Sequence, residues 1–348
     1  MRKAVTVVTV LCVAAGSVLA GCSTKPEDSG GTGTGPSATG LRQALSRVAA
    51  TDDTRAWVGY DAIAELTKVV GKRPGRGFGL LLLQGTGLGS VALNAPTDTG
   101  IAPLDADYGI EAGQPPHTVT VLAGGQQADR IGTSLTTLGW ARNGDRYVGP
   151  DPAQLTDAGM KTVYGLIFAQ VRPDGSDVVI GRPSTDLGTA GHPLPGRTLA
   201  DDQATAALAG CLGDVVVANL TTRYRSATTQ QPAVQARVPH GVQLDKLTEV
   251  AVGVRAPKSA SDTPRAVVCT AWADRAAADG YAGAVPGVLT DGKSLTAGVP
   301  YAQLLTHPQT TKVGGDAHVV EWTADEPNAD ESRLVLQMLL NADVPGLG

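Results

Sequence analysis

Aromatic residues are scarce in this 348-residue chain, since Phe, Trp and Tyr together make up 4% of it. A hydrophobic core must therefore be built mainly from Val, Leu, Ala and Ile, and no aromatic platform for stacking sugar rings is evident. Basic clusters are missing as well, and the formal net charge is −5. A surface of that sign without a Lys/Arg patch is a poor match for nucleic acid or anionic lipid, so we expect no nucleic-acid partner.

Signatures of the common exported enzymes are also missing. No serine stands in a GxSxG or SxxK pattern, which excludes the usual hydrolase and penicillin-binding motifs. The histidines are scattered without the HExxH spacing of a zinc site; they are His117, His192, His240, His307 and His318. We therefore expect no metal and no cofactor. The adjacent acids Asp52-Asp53 and Asp201-Asp202 are typical of helix starts.

Three glycine-containing segments resemble ligand-binding motifs in residue type but lack the spacing or the structural context that each motif needs. Residues 287–294 fit GxxxxGK[ST], but Gly298 and Pro300 end any following helix too early for a phosphate loop. Residues 85–89 (GTGLG) lack the spacing of a dinucleotide loop, and residues 105–109 (DADYG) lack the closing Glu of a calcium loop. We interpret all three as turns, with a weaker oxygen-ligand site at residues 105–109 as the alternative.

The beginning of the chain has the pattern of an export signal. Arg2 and Lys3 precede Ala4–Val18, an apolar segment of 15 residues, which is shorter than the roughly 20 residues of a membrane-spanning helix. It leads into Leu19-Ala20-Gly21-Cys22, which resembles the lipobox of bacterial lipoproteins. The resemblance implies cleavage before Cys22 and lipidation of that residue. An ordinary cleavage site followed by an accidental cysteine is the alternative.

The composition changes after the predicted signal peptide, residues 1–21. Residues 22–40 are rich in Gly, Ser and Thr and contain no large apolar side chain, so we expect a disordered tether. Removal of residues 1–21 takes away two basic residues and no acidic one, which makes the formal charge about −7. Two or three acyl chains hold a protein durably on a bilayer. The sequence therefore predicts a lipid-anchored protein on the extracytoplasmic face of the cell membrane.

Two cysteines, Cys211 and Cys269, lie in the part of the chain that is expected to fold. An even number of cysteines in an exported protein indicates a disulfide. Both stand in apolar stretches, one at a helix end and the other in the centre of a strand, which neighbouring elements can bring together. Two buried free thiols are the alternative, and metal binding would need more than two ligands.

Hydrophobic periodicity indicates an α+β body with antiparallel or mixed sheets and helices packed on one face. Residues 117–123 alternate as a strand, residues 128–138 have a helical apolar face, and Asn143-Gly144 marks a hairpin. Residues 161–172 and 177–181 are predicted as two further strands. Together these segments define the first half of the body.

Near the start of the body, residues 41–50 have helical spacing and residues 54–60 alternate like a strand. Asp61 is predicted to cap a helix that runs to Val70. The glycine-broken segment 77–93 is compatible with either helix or loop.

The second half repeats the same types of element. A helix at residues 200–212 leads into a strand at 214–220, and Pro327 opens a final helix. Between them, three further strands are predicted at residues 249–254, 265–272 and 318–323. The recurrence predicts two similar subdomains, residues 41–190 and 191–348.

Residues 117–150, together with LADDQATAALAGCLGDVVVANL at 199–220, resemble uncharacterised secreted lipoproteins of high-GC Gram-positive bacteria. That resemblance implies the compartment and no activity. The sequence as a whole favours a non-catalytic envelope protein that binds a small ligand or another envelope protein. The alternative is an exported hydrolase with a site assembled from distant residues, which a deep pocket with a His, an acid and a Ser would favour. A transporter's solute-binding protein would need two α/β lobes, and no strong strand–helix alternation supports them.

Overall fold

The computed structural model describes residues 36–73, 75–151, 159–225, 232–313, 316–328 and 332–348. The described residues belong to one compact unit, and its centre is an antiparallel sheet of twelve strands within them. This confirms the α+β class. In chain order the strands are β1 Val58–Asp61, β2 Tyr108–Gln114, β3 His117–Ala123, β4 Ala141–Asn143, β5 Arg146–Val148, β6 Gln170–Asp174, β7 Asp177–Gly181, β8 Val215–Thr221, β9 Leu247–Arg255, β10 Arg265–Trp272, β11 Thr306–Val313 and β12 Val319–Asp325.

The strands lie side by side in the order β11-β12-β10-β9-β8-β1-β2-β3-β7-β6-β5-β4. In each half, three consecutive strands form a meander. A strand of a later hairpin then pairs with the third strand of that meander. Thus β7 pairs with β3, and β12 pairs with β10. The first strands of the two meanders, β1 and β8, pair with each other at the centre. The two halves therefore share a five-strand arrangement, to which the first half adds β5 and β4 at its edge, and the sheet is continuous across the predicted boundary near residue 190.

Helices lie on both faces of this sheet, whereas the sequence indicated one. Glu321 and Trp322 are successive residues of β12 and so point to opposite faces. Glu321 is in register with Cys269, which forms a disulfide with Cys211 of α7 (Gln203–Leu212). Trp322 donates its indole N–H to Tyr281 of α9 (Arg275–Asp291). The helices are α1 Pro36–Leu45, α2 Asp52–Ala56, α3 Ile63–Val70, α4 Ala95–Asp98, α5 Ala128–Leu138, α6 Met160–Ile167, α7 Gln203–Leu212, α8 Pro232–Gln235, α9 Arg275–Asp291, α10 Tyr301–Leu304 and α11 Leu334–Leu340.

The core consists mainly of Val, Leu and Ala, as the composition predicts. Strand β8 is buried along its whole length, because it has helices on both sides and lies in the middle of the sheet. Three large aromatic side chains, Trp272, Tyr281 and Trp322, lie together between β10, β12 and α9, where the rings of Trp272 and Tyr281 are 5.2 Å apart. Full burial of one such side chain stabilises the fold by about 2–3 kcal/mol.

Segment 77–93 forms short 3₁₀ turns that pack against β1. Gly59 and Gly85 approach so closely that a Cβ atom on Gly59 would lie 1.9 Å from the Gly85 carbonyl oxygen. The Asp61 carboxylate accepts hydrogen bonds from the backbone N–H groups of Gly85 (2.9 Å) and Thr86 (2.8 Å). The prediction that Asp61 caps a helix is therefore wrong. Its partners lie 24 and 25 residues further along the chain, where a local capping pattern cannot reveal them.

Other local predictions are also wrong in part. Residues 161–172 are not one strand, because helix α6 occupies Met160–Ile167 and only the end of the segment enters β6. Val163, Tyr164 and Ile167 have the spacing of one helix face, which competes with their strand propensity. Segment 54–60 is divided between α2 and β1 because Thr51 and Thr54 form a capping box. The last helix begins at Leu334 rather than near Pro327.

The predicted disulfide is present, which excludes the alternative of two free thiols. Cys211 of α7 is bonded to Cys269 of β10, with their Cα atoms 6.2 Å apart. The predicted signal peptide, Cys22 and the tether as far as residue 35 lie outside the described residues, and α1 begins within the segment predicted as tether. Among the residues that the structure does describe, no helix combines the length and apolar character needed to cross a membrane.

Candidate functional site

His117 stands at the first position of β3, directly after the turn Pro115-Pro116 that joins β2 to β3. Its side chain is exposed and points to the same face of the sheet as buried Val119, because side chains two residues apart share a face. The ring Nδ1 lies 3.2 Å from the backbone carbonyl oxygen of Ser184. When Nδ1 donates to this oxygen, Nε2 is left as a hydrogen-bond acceptor.

The loop that follows β7 forms a second wall beside His117. The hydroxyl of Thr185 donates to the carbonyl oxygen of Thr118 (2.9 Å), and the side-chain amide of Gln170 donates to the carbonyl oxygen of Thr185 (2.6 Å). Arg172 donates to the carbonyl oxygen of Gly188 (3.0 Å). These hydrogen bonds attach the loop to β3 and β6 at several points. The loop is therefore pre-organised in the absence of a ligand.

A third wall comes from the end of α1 and the start of α2. The Arg47 guanidinium donates through Nε to the carbonyl oxygen of Gly191 (2.6 Å) and through Nη2 to the carboxylate of Asp177 (2.6 Å). The backbone N–H of Ala50 donates to the carbonyl oxygen of Arg197 (2.9 Å). These contacts join the α1–α2 connection to the loop after β7 and close the space between them.

The three walls enclose a cavity of about 350 Å³, which we call the His117 pocket. Its floor is apolar and buried, formed by Val48, Val119, Leu187 and Ala190. Its rim is polar and includes Thr51, Asp53, His117, Ser184 and Asp186. An apolar floor with a few polar groups around it is the usual construction of a small-molecule site, and the volume lies at the lower end of the range for such sites.

The polar groups of the pocket do not form a catalytic set. The Ser184 hydroxyl donates to the carbonyl oxygen of Pro116 (3.4 Å), and His117 contacts the Ser184 backbone instead of that hydroxyl. A serine nucleophile needs a hydrogen bond to its general base. Across the described residues, no group of three or more His, Cys, Asp or Glu side chains is placed to hold a metal ion. The rim and the floor offer polar and apolar contacts to a ligand.

The segment that fits GxxxxGK[ST] binds one of the chain's own carboxylates. Its first residues belong to the end of α9, and Ser294 lies in the turn that follows. The buried Asp343 accepts hydrogen bonds from the Ser294 hydroxyl (2.6 Å) and from the backbone N–H of Leu295 (2.9 Å). The Ser294 hydroxyl is thus already occupied. The interpretation of the whole segment as a turn is wrong in part, because residues 287–291 are the last residues of α9.

The other two glycine-containing segments are occupied in a similar way. The N–H groups of Gly85 and Thr86 in GTGLG bind the Asp61 carboxylate, as described above. In DADYG, Asp105 forms an ion pair with Lys72 (2.5 Å), and Gly109 is already part of β2. Neither segment presents free ligand groups in the geometry that its pattern would require.

The adjacent acid pairs stand at helix starts, as predicted. Asp52 and Asp53 occupy the first turn of α2, and Asp202 caps α7 by accepting from the N–H of Thr205 (3.1 Å). Two other histidines contact carboxylates at the surface, His192 with Asp174 (2.5 Å) and His307 with Asp325 (3.0 Å). Since these pairs lie far apart in the sheet order, they do not form a common site.

Two further carboxyl groups outside the pocket have raised pKa values, the buried Glu249 and the half-buried Glu111. Burial, followed by the nearby Asp202 charge, raises the pKa of Glu249 to about 8. Burial also raises the pKa of Glu111 to about 7, against the opposing effect of Arg182. Glu111 points to the face of the sheet opposite His117, because it is in register with Thr120. Neither residue lines a described cavity, so we treat both as parts of the fold.

A larger cavity of about 750 Å³ lies between α5 and the β4–β5 hairpin. Its lining is mostly exposed and polar, with Thr133, Thr136 and Thr137 on the helix side. Tyr147 lies so close to Gly132 that a Cβ atom there would be 2.4 Å from the tyrosine oxygen. Without an apolar floor, this trough is the weaker candidate for a ligand.

Comparison with known proteins gives no relative: no family model, no curated protein and no solved structure matches this chain. The site is therefore defined by its geometry. The sequence identified His117 only as one of five scattered histidines and did not connect it with Asp53 or with residues 184–190. The one local clue is the clustering of polar residues after β7, and a single sequence cannot show which strand they meet.

Proposed function

We propose that this protein is a lipid-anchored binding protein on the extracytoplasmic face of the cell membrane, and that it holds a small ligand in the His117 pocket without transforming it. The observation that carries the proposal is the construction of the pocket. Three separate segments hold an apolar floor under a polar rim, and hydrogen bonds attach the segments to one another. Pre-organised sites of this kind lose little conformational entropy when a ligand binds.

The location is supported by two independent features of the sequence and the structure. The segment Leu19-Ala20-Gly21-Cys22 has the pattern of a lipobox, and two or three acyl chains on one residue are sufficient for durable anchoring. The Cys211–Cys269 disulfide is compatible with an oxidising compartment outside the cytoplasm. Both features agree with an exported, anchored protein.

The anchor is tested by replacing Cys22 with Ala in the full-length chain expressed in a Gram-positive host. We expect loss of acyl labelling, accumulation of the uncleaved precursor and a change of the protein's cell fraction. Cys12→Ala is the matched control, because this second cysteine lies ten positions upstream within the apolar segment. Normal processing and acylation of the Cys22→Ala protein would show that the anchor assignment is wrong.

An exported hydrolase is the second candidate, and one observation favours it. Ser184, His117 and the acids Asp53 and Asp186 line the same cavity. The orientation of the Ser184 hydroxyl towards the Pro116 carbonyl argues against it in the present conformation. Labelling of the purified protein with a fluorophosphonate probe decides between the two functions. Stoichiometric labelling that disappears in Ser184→Ala would establish the hydrolase, and absence of labelling agrees with a binding protein.

A further inference from the structure

We infer that the His117 pocket is selective for an organic cation, specifically an ammonium group on a short alkyl chain. This inference rests on the proposed function and adds the chemical class of the ligand. Two properties of the pocket carry it together: the sign of the charges on its rim and the apolar character of its floor. The negative rim disfavours anions, and the apolar floor disfavours hydrated inorganic cations.

The fixed charges of the rim are negative. Asp53 and Asp186 both line the cavity, and none of its lining residues is Lys or Arg. Within the described residues, the Asp53 carboxylate has no hydrogen bond or ion pair, and Asp186 accepts only the backbone N–H of Gly188 (3.0 Å). Two carboxylates without a cationic partner attract positive charge into a cleft and repel anions.

The two guanidinium groups that brace the pocket walls, Arg47 and Arg172, are paired with groups other than these two carboxylates. Arg47 is occupied by Asp177 and the Gly191 carbonyl oxygen. Arg172 donates to backbone carbonyl oxygens on the loop that forms the pocket wall. Both guanidinium groups therefore hold the walls together, and neither belongs to the lining.

The floor adds a requirement for apolar surface. Val48, Val119, Leu187 and Ala190 are buried side chains that offer no hydrogen-bonding group to a ligand. A fully hydrated inorganic cation would gain nothing from this surface. An alkyl chain that packs against it would gain about 25 cal/mol of binding free energy per Å² of apolar surface removed from water. His117 completes the arrangement, since its Nε2 can accept a hydrogen bond from an ammonium N–H.

The experiment compares three small probes of equal chain length by isothermal titration calorimetry on the full chain in micelles of an uncharged detergent. The probes are n-butylammonium, n-butanol and n-butyrate. We expect binding of butylammonium, binding of butanol weaker by about fivefold or more, and no binding of butyrate, since one carboxylate–ammonium contact supplies most of this difference. Binding of butanol with the same affinity, or binding of butyrate, would overturn the inference.

Variants locate the site. The double variant Asp53→Asn, Asp186→Asn removes both rim charges at exposed positions and should weaken butylammonium by about fivefold or more. Asp129→Asn, an exposed carboxylate of the trough beside α5, is the matched control and should leave the affinity unchanged. Equal affinities in all three proteins would refute the site. If butylammonium fails to bind while the Cys22→Ala result supports the anchor, the ligand class is wrong and the cellular location stands.

Discussion

The carboxyl group of Glu249 lies 3.3 Å from the hydroxyl oxygen of Thr205, and it has no other hydrogen-bond partner among the described residues. The Thr205 hydroxyl already donates to the carboxylate of Asp202 (3.0 Å). Because a hydroxyl has a single proton to donate, Thr205 must share it between the two carboxyl groups, and Glu249 receives only the longer and weaker contact. This single contact offsets little of the cost of burying a charge, and burial together with the Asp202 charge raises the pKa of Glu249 to about 8.

Glu249 makes stability depend on pH in a direction opposite to that of most carboxyl groups. Its pKa is about 8 in the folded protein and 4.5 ordinarily. Between these values the folded state binds more protons than the unfolded state, so the free energy of unfolding falls as pH rises. The greatest slope is about 1.4 kcal/mol per pH unit.

Replacing Glu249 with Gln should remove this dependence, because the amide keeps the shape and a donor but does not ionise. Relative to the wild type, we expect the variant's free energy of unfolding to increase by roughly 3 kcal/mol between pH 5 and pH 8. Denaturant unfolding at several pH values measures it, with Asp129→Asn as the control for loss of an exposed carboxylate. If the stability difference between the variant and the wild type does not change with pH, Glu249 does not have a raised pKa in the folded protein.

The contact between Gly59 and Gly85 gives a second prediction. Gly59→Ala should destabilise the protein by about 3 kcal/mol or more, because its Cβ atom would lie 1.9 Å from a carbonyl oxygen that cannot move without breaking the loop's bonds to Asp61. Gly210→Ala is the control. It lies in helix α7 with open space around a new Cβ atom and should stabilise by about 0.5–1 kcal/mol. Thermal unfolding of the two variants tests the pair, and equal effects would refute the steric argument.

The disulfide gives a third prediction. Cys211 and Cys269 are 58 residues apart, so the chain-entropy model predicts a contribution of about 4 kcal/mol. Cys269→Ala should lose this amount, and adding Cys211→Ala should cost little more, because the cross-link is already absent. Guanidinium unfolding of the single and double variants measures both values. Two additive losses of similar size would show that packing of the two side chains, and not the cross-link, dominates.

The parts of the fold that the sequence predicted are those with strong periodicity. Strand β3, helix α5 and strand β10 agree with their predicted ranges because alternating or helically spaced apolar residues mark them clearly. Strand β2, YGIEAGQ, was missed because Gly109 and Gly113 interrupt its pattern, and β11, THPQTTKV, because it is almost entirely polar at the sheet edge. Their strand conformation depends on neighbouring strands that a local pattern does not contain.

The candidate site was less accessible to sequence reasoning than the fold. The Cys211–Cys269 pair could be predicted because cysteine chemistry restricts the possibilities. The His117 pocket could not, since its walls come from residues 48–54, 117–119 and 184–190. Their proximity depends on the pairing of β3 with β7 and on the return of the loop to α1. No short motif encodes either event.

The link between Arg47 and Asp177 gives the last prediction, because it joins α1 to the wall of the pocket. The same guanidinium binds Asp177 and the Gly191 carbonyl oxygen at 2.6 Å each, and Asp177 in turn accepts the N–H of Gly124 (2.7 Å). Arg47→Met keeps the apolar stem and removes both contacts. Hydrogen bonds to a charged group are worth about 1.5–3 kcal/mol each, so the loop after β7 should open more often.

Amide hydrogen exchange is the measurement that separates this local effect from a general loss of stability. In Arg47→Met we expect exchange at residues 185–191 to become at least tenfold faster, while β10 in the other half of the sheet keeps its wild-type rate under conditions of local opening. Arg255→Met is the matched control, because Arg255 forms a similar ion pair with Glu321 at 2.8 Å but lies far from the pocket. Loss of the Arg255–Glu321 ion pair should leave the amide exchange rates of residues 185–191 unchanged. If both variants accelerate exchange equally throughout the sheet, the walls of the pocket have no stability of their own, and pre-organisation would no longer support a binding site there.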